Sequence, residues 1–125
     1  MSVTHGAAVR TGIADFVVDQ LDEGTPPGTL VMQTSGGVTV AILTFAATAF
    51  GAAVAGVATA AAIVSDTNAV GGTIAKAELR NAAGTAKILC SVTATGGGGD
   101  ITLSSVVISA GQTVSLSSLT YTAPV

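Results

Sequence analysis

The feature that most constrains the fold is a long uncharged stretch in the first half of the chain. Residues 24–65 contain no Lys, Arg, Asp or Glu, and residues 38–64 within them are almost all small and apolar. The segment 40–64 is long enough for a transmembrane helix, because a bilayer core of ~30 Å needs ~20 apolar residues. Insertion into a membrane through residues 40–64 is therefore the first alternative to weigh.

Several features of this stretch favour a β-sheet instead. It is rich in Ala and Thr, with no Lys or Arg close to either end and no Trp or Tyr to anchor it at a membrane interface. Residues 38–45 (Val-Thr-Val-Ala-Ile-Leu-Thr-Phe) are β-branched and aromatic, which is typical of a strand. We predict a strand over 38–45, an irregular connector over 46–56 held by Phe50, and a second strand over 57–64.

The one convincing helix covers residues 4–23. Thr4 is placed to cap its start, and Gly24 followed by Pro26 and Pro27 ends it. At about 100° per residue, apolar and acidic side chains fall on opposite arcs, which predicts an amphipathic helix. The apolar arc contains Val9, Ile13, Ala14, Phe16, Val17 and Leu21.

The acidic arc of this helix is either a solvated surface or a contact for a basic partner. Asp15 and Asp19 are like charges four residues apart, and Asp22 lies near the negative end of the helix dipole. Each placement costs roughly a few tenths of a kcal/mol, so packing of the apolar arc must outweigh it. Our candidate partner contacts are Asp15, Asp19 and Asp22, together with Phe50 in the connector.

The rest of the chain alternates short apolar segments with turns rich in Gly, Ser and Asn, which predicts antiparallel strands. Residues 29–34 and 38–45 form one predicted hairpin, and residues 73–80 and 86–95 form another. Cys90 alternates with other apolar residues on the last of these strands, so we expect a small buried hydrophobe rather than a reactive thiol.

The end of the chain carries the clearest repeated pattern. Residues 101–108 and 114–121 share a template in which the apolar phase shifts across a Ser-Ser pair. We expect these two strands to pair antiparallel, with Ser104 near Ser117, and to pass from one sheet of a sandwich to the other. The four glycines at 96–99 are expected to form an exposed loop, since no phosphate-binding signature follows them.

The expected fold is therefore mainly β. It is an antiparallel β-sandwich or jelly-roll-like domain over residues 29–122, preceded by one N-terminal amphipathic α-helix. A length of 125 residues suits a single domain over 1–125.

Composition narrows the function classes. The four basic residues are scattered and the net charge is −3, so we expect no nucleic-acid partner. The single His5 has no neighbouring His, Cys or clustered carboxylates, so we expect no enzyme, no metal or other cofactor, and no small-molecule substrate. A carbohydrate-binding or adhesive module needs exposed aromatic side chains, and one Tyr and three Phe argue against it.

The low charge content indicates contact with other subunits. Charged residues are 9% of the chain, against ~25% in an ordinary soluble domain. We infer that much of the surface meets other protein subunits. The first residues have neither a basic region nor an apolar run, so we expect no secretion signal and a protein that matures or assembles in the cytoplasm.

Three segments resemble small virion proteins of tailed bacteriophages. They are residues 49–60 (Ala-Phe-Gly-Ala-Ala-Val-Ala-Gly-Val-Ala-Thr-Ala), residues 100–116 (Asp-Ile-Thr-Leu-Ser-Ser-Val-Val-Ile-Ser-Ala-Gly-Gln-Thr-Val-Ser-Leu), and the helix ending in Leu-Asp-Glu-Gly at 21–24 with the Gly-Thr-Leu that follows at 28–30. The resemblance implies a non-enzymatic structural subunit, with a capsid cement (decoration) protein on the capsid exterior favoured. Its partner would be the major capsid protein. A tail or head–tail joining component is the alternative within the same class.

Overall fold

The computed structural model of the chain describes residues 4–23, 27–116 and 118–123. The fold is mainly β with one N-terminal helix, as predicted. Helix α1 (Ala7–Asp19) begins later than the predicted residue 4, because its N-cap is Gly6 and not Thr4, and it continues as a single 3-10 turn (Gln20–Asp22). The strands are β1 (Thr29–Gln33), β2 (Thr39–Thr44), β3 (Val57–Thr59), β4 (Gly72–Thr73), β5 (Lys76–Arg80), β6 (Ala86–Ala94), β7 (Ile101–Leu103), β8 (Val107–Ile108) and β9 (Thr120–Thr122). The predicted helix stop at Gly24 and Pro26, and Ser117 of the predicted hairpin, lie outside the described residues.

The largest sheet has five strands in the order β2-β1-β5-β6-β7. The first four pair antiparallel, which confirms both predicted hairpins, whereas β6 and β7 pair parallel. Two further pairs, β3 with β9 and β4 with β8, are each antiparallel. Turn chemistry explains the first hairpin: Thr34 and Val38 bond across the turn, and Gly37 takes a positive φ of 89°.

The core lies against one face of the five-stranded sheet. Cross-strand register places Leu30 between Leu43 and Leu79, and all three are buried. The next buried row centres on Met32. The same hydrophobic cluster contains helix residues Ala14, Val18 and Leu21 and residues of the smaller strand pairs such as Ala58, Ile108 and Leu119. Helix, large sheet and small strand pairs therefore share one apolar interior.

The predicted C-terminal hairpin was wrong. The described residues of 101–108 and of 114–121 do not pair with each other: β7 pairs with β6, β8 with β4, and β9 with β3. The interruption at Ser104 and Ser105 is real, but the chain changes partner strand there instead of forming a bulge within a continuous strand. This change lets Ile101, Leu103, Ile108 and Leu119 all become buried despite the shift in phase.

Two other predicted strands are shorter than expected. Residues 57–64 are regular strand only over β3, with single bridges at Ala60 and Val64. Residues 73–80 are interrupted between β4 and β5. The Ile74 N–H donates to the Val106 carbonyl, whereas the N–H of the next residue, Ala75, donates to the Gln33 carbonyl. In both segments, successive residues form backbone hydrogen bonds with two different neighbouring segments.

The four glycines make the parallel connection between β6 and β7 possible. Only residues 95–100 join the two strands, far fewer than the dozen or so residues that parallel strands ordinarily need. Gly97 and Gly99 lie against Thr93, where an added Cβ would approach within 2.7 Å and 2.9 Å of its side chain. The Gly99 N–H also donates to the Thr93 hydroxyl. The loop is thus folded tightly onto β6.

The outer edge of β2 is covered by residues 64–70. Thr44 and Val64 exchange two backbone hydrogen bonds, at 3.1 Å and 2.8 Å. The Asp66 carboxylate accepts from the Ile42 N–H at 2.9 Å, and the Val70 N–H donates to the Val40 carbonyl. A strand edge that would otherwise present unpaired backbone groups is therefore satisfied within the chain.

Candidate interaction surfaces

Helix α1 and the 3-10 turn that follows it hold the connector after β2 through three polar side chains. The carboxylate of Asp22 accepts from the Ala49 N–H at 2.9 Å, and that of Asp15 accepts from the Ala53 N–H at 2.7 Å. One turn earlier, the Thr11 hydroxyl accepts from the Gly56 N–H at 3.1 Å. The connector consists of Ala, Gly and Val with little side chain of its own, so the helix supplies the acceptors that its backbone needs.

This contact explains why Phe16 and Val9, two members of the predicted apolar arc, do not face the core, whereas Ala14 and Leu21 are buried as predicted. The buried side of α1 carries Ala14, Val18 and Leu21, while Phe16 is 68% exposed and Val9 is 53% exposed. The helix is rotated so that its bonded carboxylates, and not its largest apolar side chain, face the body of the protein. Periodicity alone cannot detect this, because the deciding interaction involves backbone groups more than twenty-five residues away.

The four predicted partner contacts are placed differently from one another. Asp15 and Asp22 are half-buried and bonded to the connector, whereas Asp19 is exposed. Phe50 is 3% exposed, with its ring centroid 6.0 Å from that of Phe45. It anchors the connector in the core, as predicted for residues 46–56. Contact with a partner stays a prediction for all four, and Asp19 is the member already at the surface.

The exposed apolar side chains form a surface that the sequence reasoning missed. Val9 and Phe16 are seven residues apart, so they lie on the same side of α1 and define what we call the helix stripe. A second group lies on the outer face of the large sheet. There Ile42, Val31, Glu78 and Leu89 form one cross-strand row in which both end residues are exposed.

Charged groups around the large sheet are mostly paired locally. Arg80 donates through Nε to Glu78 on the same strand at 2.9 Å. Lys87 lies 3.0 Å from Glu23, and its hydrogen bond and positive charge lower the pKa of that carboxyl.

Burial raises the pKa of the Cys90 thiol to about 11, with a further contribution from the nearby charge of Asp100. Cys90 is therefore a neutral thiol near pH 7.

Residues 4–23, 27–116 and 118–123 contain no group of three or more His, Cys, Asp or Glu side chains placed to hold a metal ion. In the same ranges, no helix has the length and apolar character needed to cross a bilayer. Residues 40–64, the segment of the membrane alternative, form most of β2, the connector and β3.

Comparison of the chain with protein-family models, curated proteins and solved structures gave no match.

Proposed function

We propose that this chain is a non-enzymatic structural subunit of a tailed-bacteriophage virion, specifically a capsid cement (decoration) protein. In this role it binds the outside of the head lattice through the major capsid protein and acts as a homo-oligomer. The resemblance of residues 49–60 and 100–116 to small virion proteins supports the class. A tail or head–tail joining component remains the alternative within it.

The observation that carries the proposal is the helix stripe. Phe16 and Val9 are large apolar side chains left open to solvent on one side of α1, in a chain with only 9% charged residues. Exposed apolar groups that lie together mark protein contact surfaces. Asp19 lies next to the stripe on the same helix, so a basic group beside an apolar patch on the capsid subunit complements both.

The antiparallel sandwich or jelly-roll arrangement is part of the same proposal. The small pairs β3–β9 and β4–β8 contribute Ala58, Leu119 and Ile108 to the core that the large sheet also covers. These pairs would then form the second layer of the sandwich, opposite the large sheet.

Co-sedimentation with assembled phage capsids that lack the protein tests this function. We expect saturable binding at a fixed ratio to the shell subunits, and no binding to liposomes run in parallel. Phe16→Ser should weaken binding at least about tenfold, the loss expected for an apolar contact at the centre of an interface. Val107→Ser is the matched control, because Val107 is equally exposed but lies on β8.

Each other outcome has a distinct meaning. Equal binding by the Phe16→Ser and Val107→Ser variants would contradict the role of the helix stripe. Binding to liposomes would support the membrane alternative. Binding to neither capsids nor liposomes would contradict the cement role and favour the tail or the head–tail joint.

A further inference from the structure

A cleft of about 400 Å³ separates β6 of the large sheet from β9 of the small pair. Its walls are two strand segments, and Asp100 lies among its lining residues. The lining residues are Ile88, Leu89, Cys90, Asp100, Leu119, Thr120, Tyr121 and Thr122. We call this cleft the β6–β9 slot.

One wall of the slot is a strand edge that is free at Leu89, whereas the next group along it, the Ser91 N–H, is bonded to the Asp100 carboxylate. β6 pairs with β5 along one side, but β7 covers the other side only at residues 92–94. The Val92 N–H donates to the Ala75 carbonyl next to β5, so even-numbered residues at this part of β6 direct their backbone groups to that side. The backbone N–H and C=O of Leu89 therefore point away from β5, on the side where the slot lies.

The opposite wall is a second free edge. The Ala60 N–H donates to the Leu119 carbonyl and the Ala123 N–H to the Gly56 carbonyl, both at 2.8 Å. Because ladder bonds recur at every second residue, Tyr121 also faces β3. Thr120 and Thr122 then point their backbone groups away from β3 and toward the slot. Among the described residues, neither of these two threonines nor Leu89 has a backbone hydrogen-bond partner on its slot side.

We propose that the β6–β9 slot receives an extended segment of a neighbouring polypeptide, which inserts as an additional strand and joins the two sheets. The backbone N–H and C=O groups on the two walls can pair with one inserted β-strand, which carries donors and acceptors along both of its edges. A single side chain cannot pair with both walls in this way. The wall formed by residues 119–122 accommodates about four residues, or ~13 Å of strand.

Charge defines the inserting segment further. The Asp100 carboxylate is held by the N–H and hydroxyl of Ser91, at 3.0 Å and 3.2 Å, and it is exposed. A Lys or Arg on the inserting segment complements it. The Leu89 side chain is 73% exposed and offers an apolar contact beside it. The segment should therefore combine small apolar or Thr residues with a basic residue.

This inference rests on the proposed function only for the identity of the partner, which would be a neighbouring virion subunit. The slot itself is tested with the isolated chain, so failure here and failure of capsid binding are separate results.

Amide hydrogen exchange by NMR, with a synthetic peptide as probe, is the test. The peptide acetyl-Lys-Val-Thr-Val-Thr-amide is titrated into the ¹⁵N-labelled chain to about 1 mM. At ten times the Kd, exchange at Leu89, Thr120 and Thr122 should slow about tenfold. Thr102 is the internal control, because its backbone faces away from β6 at the outer edge of β7, outside the slot.

Two matched reagents address charge and pairing. A peptide with Glu in place of Lys should bind several-fold more weakly, and Asp100→Asn should remove that difference. A peptide with Pro in place of both Val residues should give much weaker protection, because it lacks the N–H donors along one of its two edges and cannot pair with both walls.

The following results would overturn the proposal. They are no protection at any slot amide, equal protection at Thr102, or equal binding by the Pro peptide. Protection that appears without peptide and rises with protein concentration would assign the slot to a second copy of this chain instead.

Discussion

The Asp15 carboxylate accepts a 2.7 Å hydrogen bond from the backbone N–H of Ala53, thirty-eight residues along the chain. Together with the Asp22–Ala49 bond it ties the helix to a connector that has almost no polar side chains. Asp15 and Asp22 are therefore structural as well as charged.

Replacing these bonded carboxylates should destabilise the protein. We expect Asp15→Ala and Asp22→Ala each to lower the free energy of unfolding by about 1–2 kcal/mol, since hydrogen bonds to charged groups contribute about 1.5–3 and these are only half-buried. Asp19→Ala is the control on the same helix, with a change within about 0.5 kcal/mol. Urea denaturation followed by circular dichroism measures all three, and equal loss in the Asp19 variant would contradict the assignment.

Replacing Gly97 and Gly12 with Ala should change the free energy of unfolding in opposite directions. An added Cβ at Gly97 would lie 2.7 Å from the side chain of Thr93, so Gly97→Ala should cost about 1–3 kcal/mol. Gly12 is exposed in α1 with nothing within 4 Å of an added Cβ, so Gly12→Ala should stabilise by about 0.5–1 kcal/mol. Thermal unfolding of both variants checks this, and a neutral Gly97→Ala would mean that the loop is not packed as described.

Substitutions of Phe50 and Phe16 should have very different effects on the free energy of unfolding. Phe50→Ala removes a ring buried against Phe45 and should cost about 3–5 kcal/mol. Phe16→Ala should change the unfolding free energy by no more than about 0.5 kcal/mol, because its ring is mostly exposed. Chemical denaturation of the two variants side by side is the measurement. A large loss in the Phe16 variant would place that ring inside the fold.

Cys90 should react slowly and should make stability fall at alkaline pH. Its pKa is raised from 9.0 to about 11, first by burial and then by Asp100, so the folded thiol stays protonated where the unfolded one ionises. Stability is therefore lost as the pH rises from 9 toward 11. Cys90→Ser should make that decline shallower.

Thiol labelling gives a second measurement of the same group. At pH 8 the native protein should react with a disulfide reagent much more slowly than the urea-unfolded chain. Asp100→Asn should raise the native rate modestly, because it removes the smaller of the two causes. Equal rates for native and unfolded protein would contradict the raised pKa.

Local chemistry explains which parts of the fold could be predicted from sequence. The two long hairpins were predictable because their turns are encoded within a few residues. In the second hairpin, for example, the Asn81 side chain accepts from the N–H groups of Ala83 and Thr85. Phe50 was predictable as an anchor because it is the one large side chain in its connector.

The parts that could not be predicted depend on distant partners. The Ser-Ser interruptions showed where the last strands break, but not that β7, β8 and β9 each join a different neighbour. The orientation of the helix depends on backbone donors in residues 49–56, which a helical periodicity does not contain. The exposed position of Phe16 follows from that orientation, so the helix stripe could not be predicted from the sequence either.

Coverage of the β2 edge by residues 64–70 limits how copies of this chain can associate. Open-ended fibres require each subunit to offer one sheet edge and accept another, so that addition never closes. Here the edge strand β2 already forms hydrogen bonds with Val64, Asp66 and Val70 of its own chain. End-to-end stacking through that strand is blocked, and a protein stored at high concentration gains protection from amyloid-like growth at this end of the sheet.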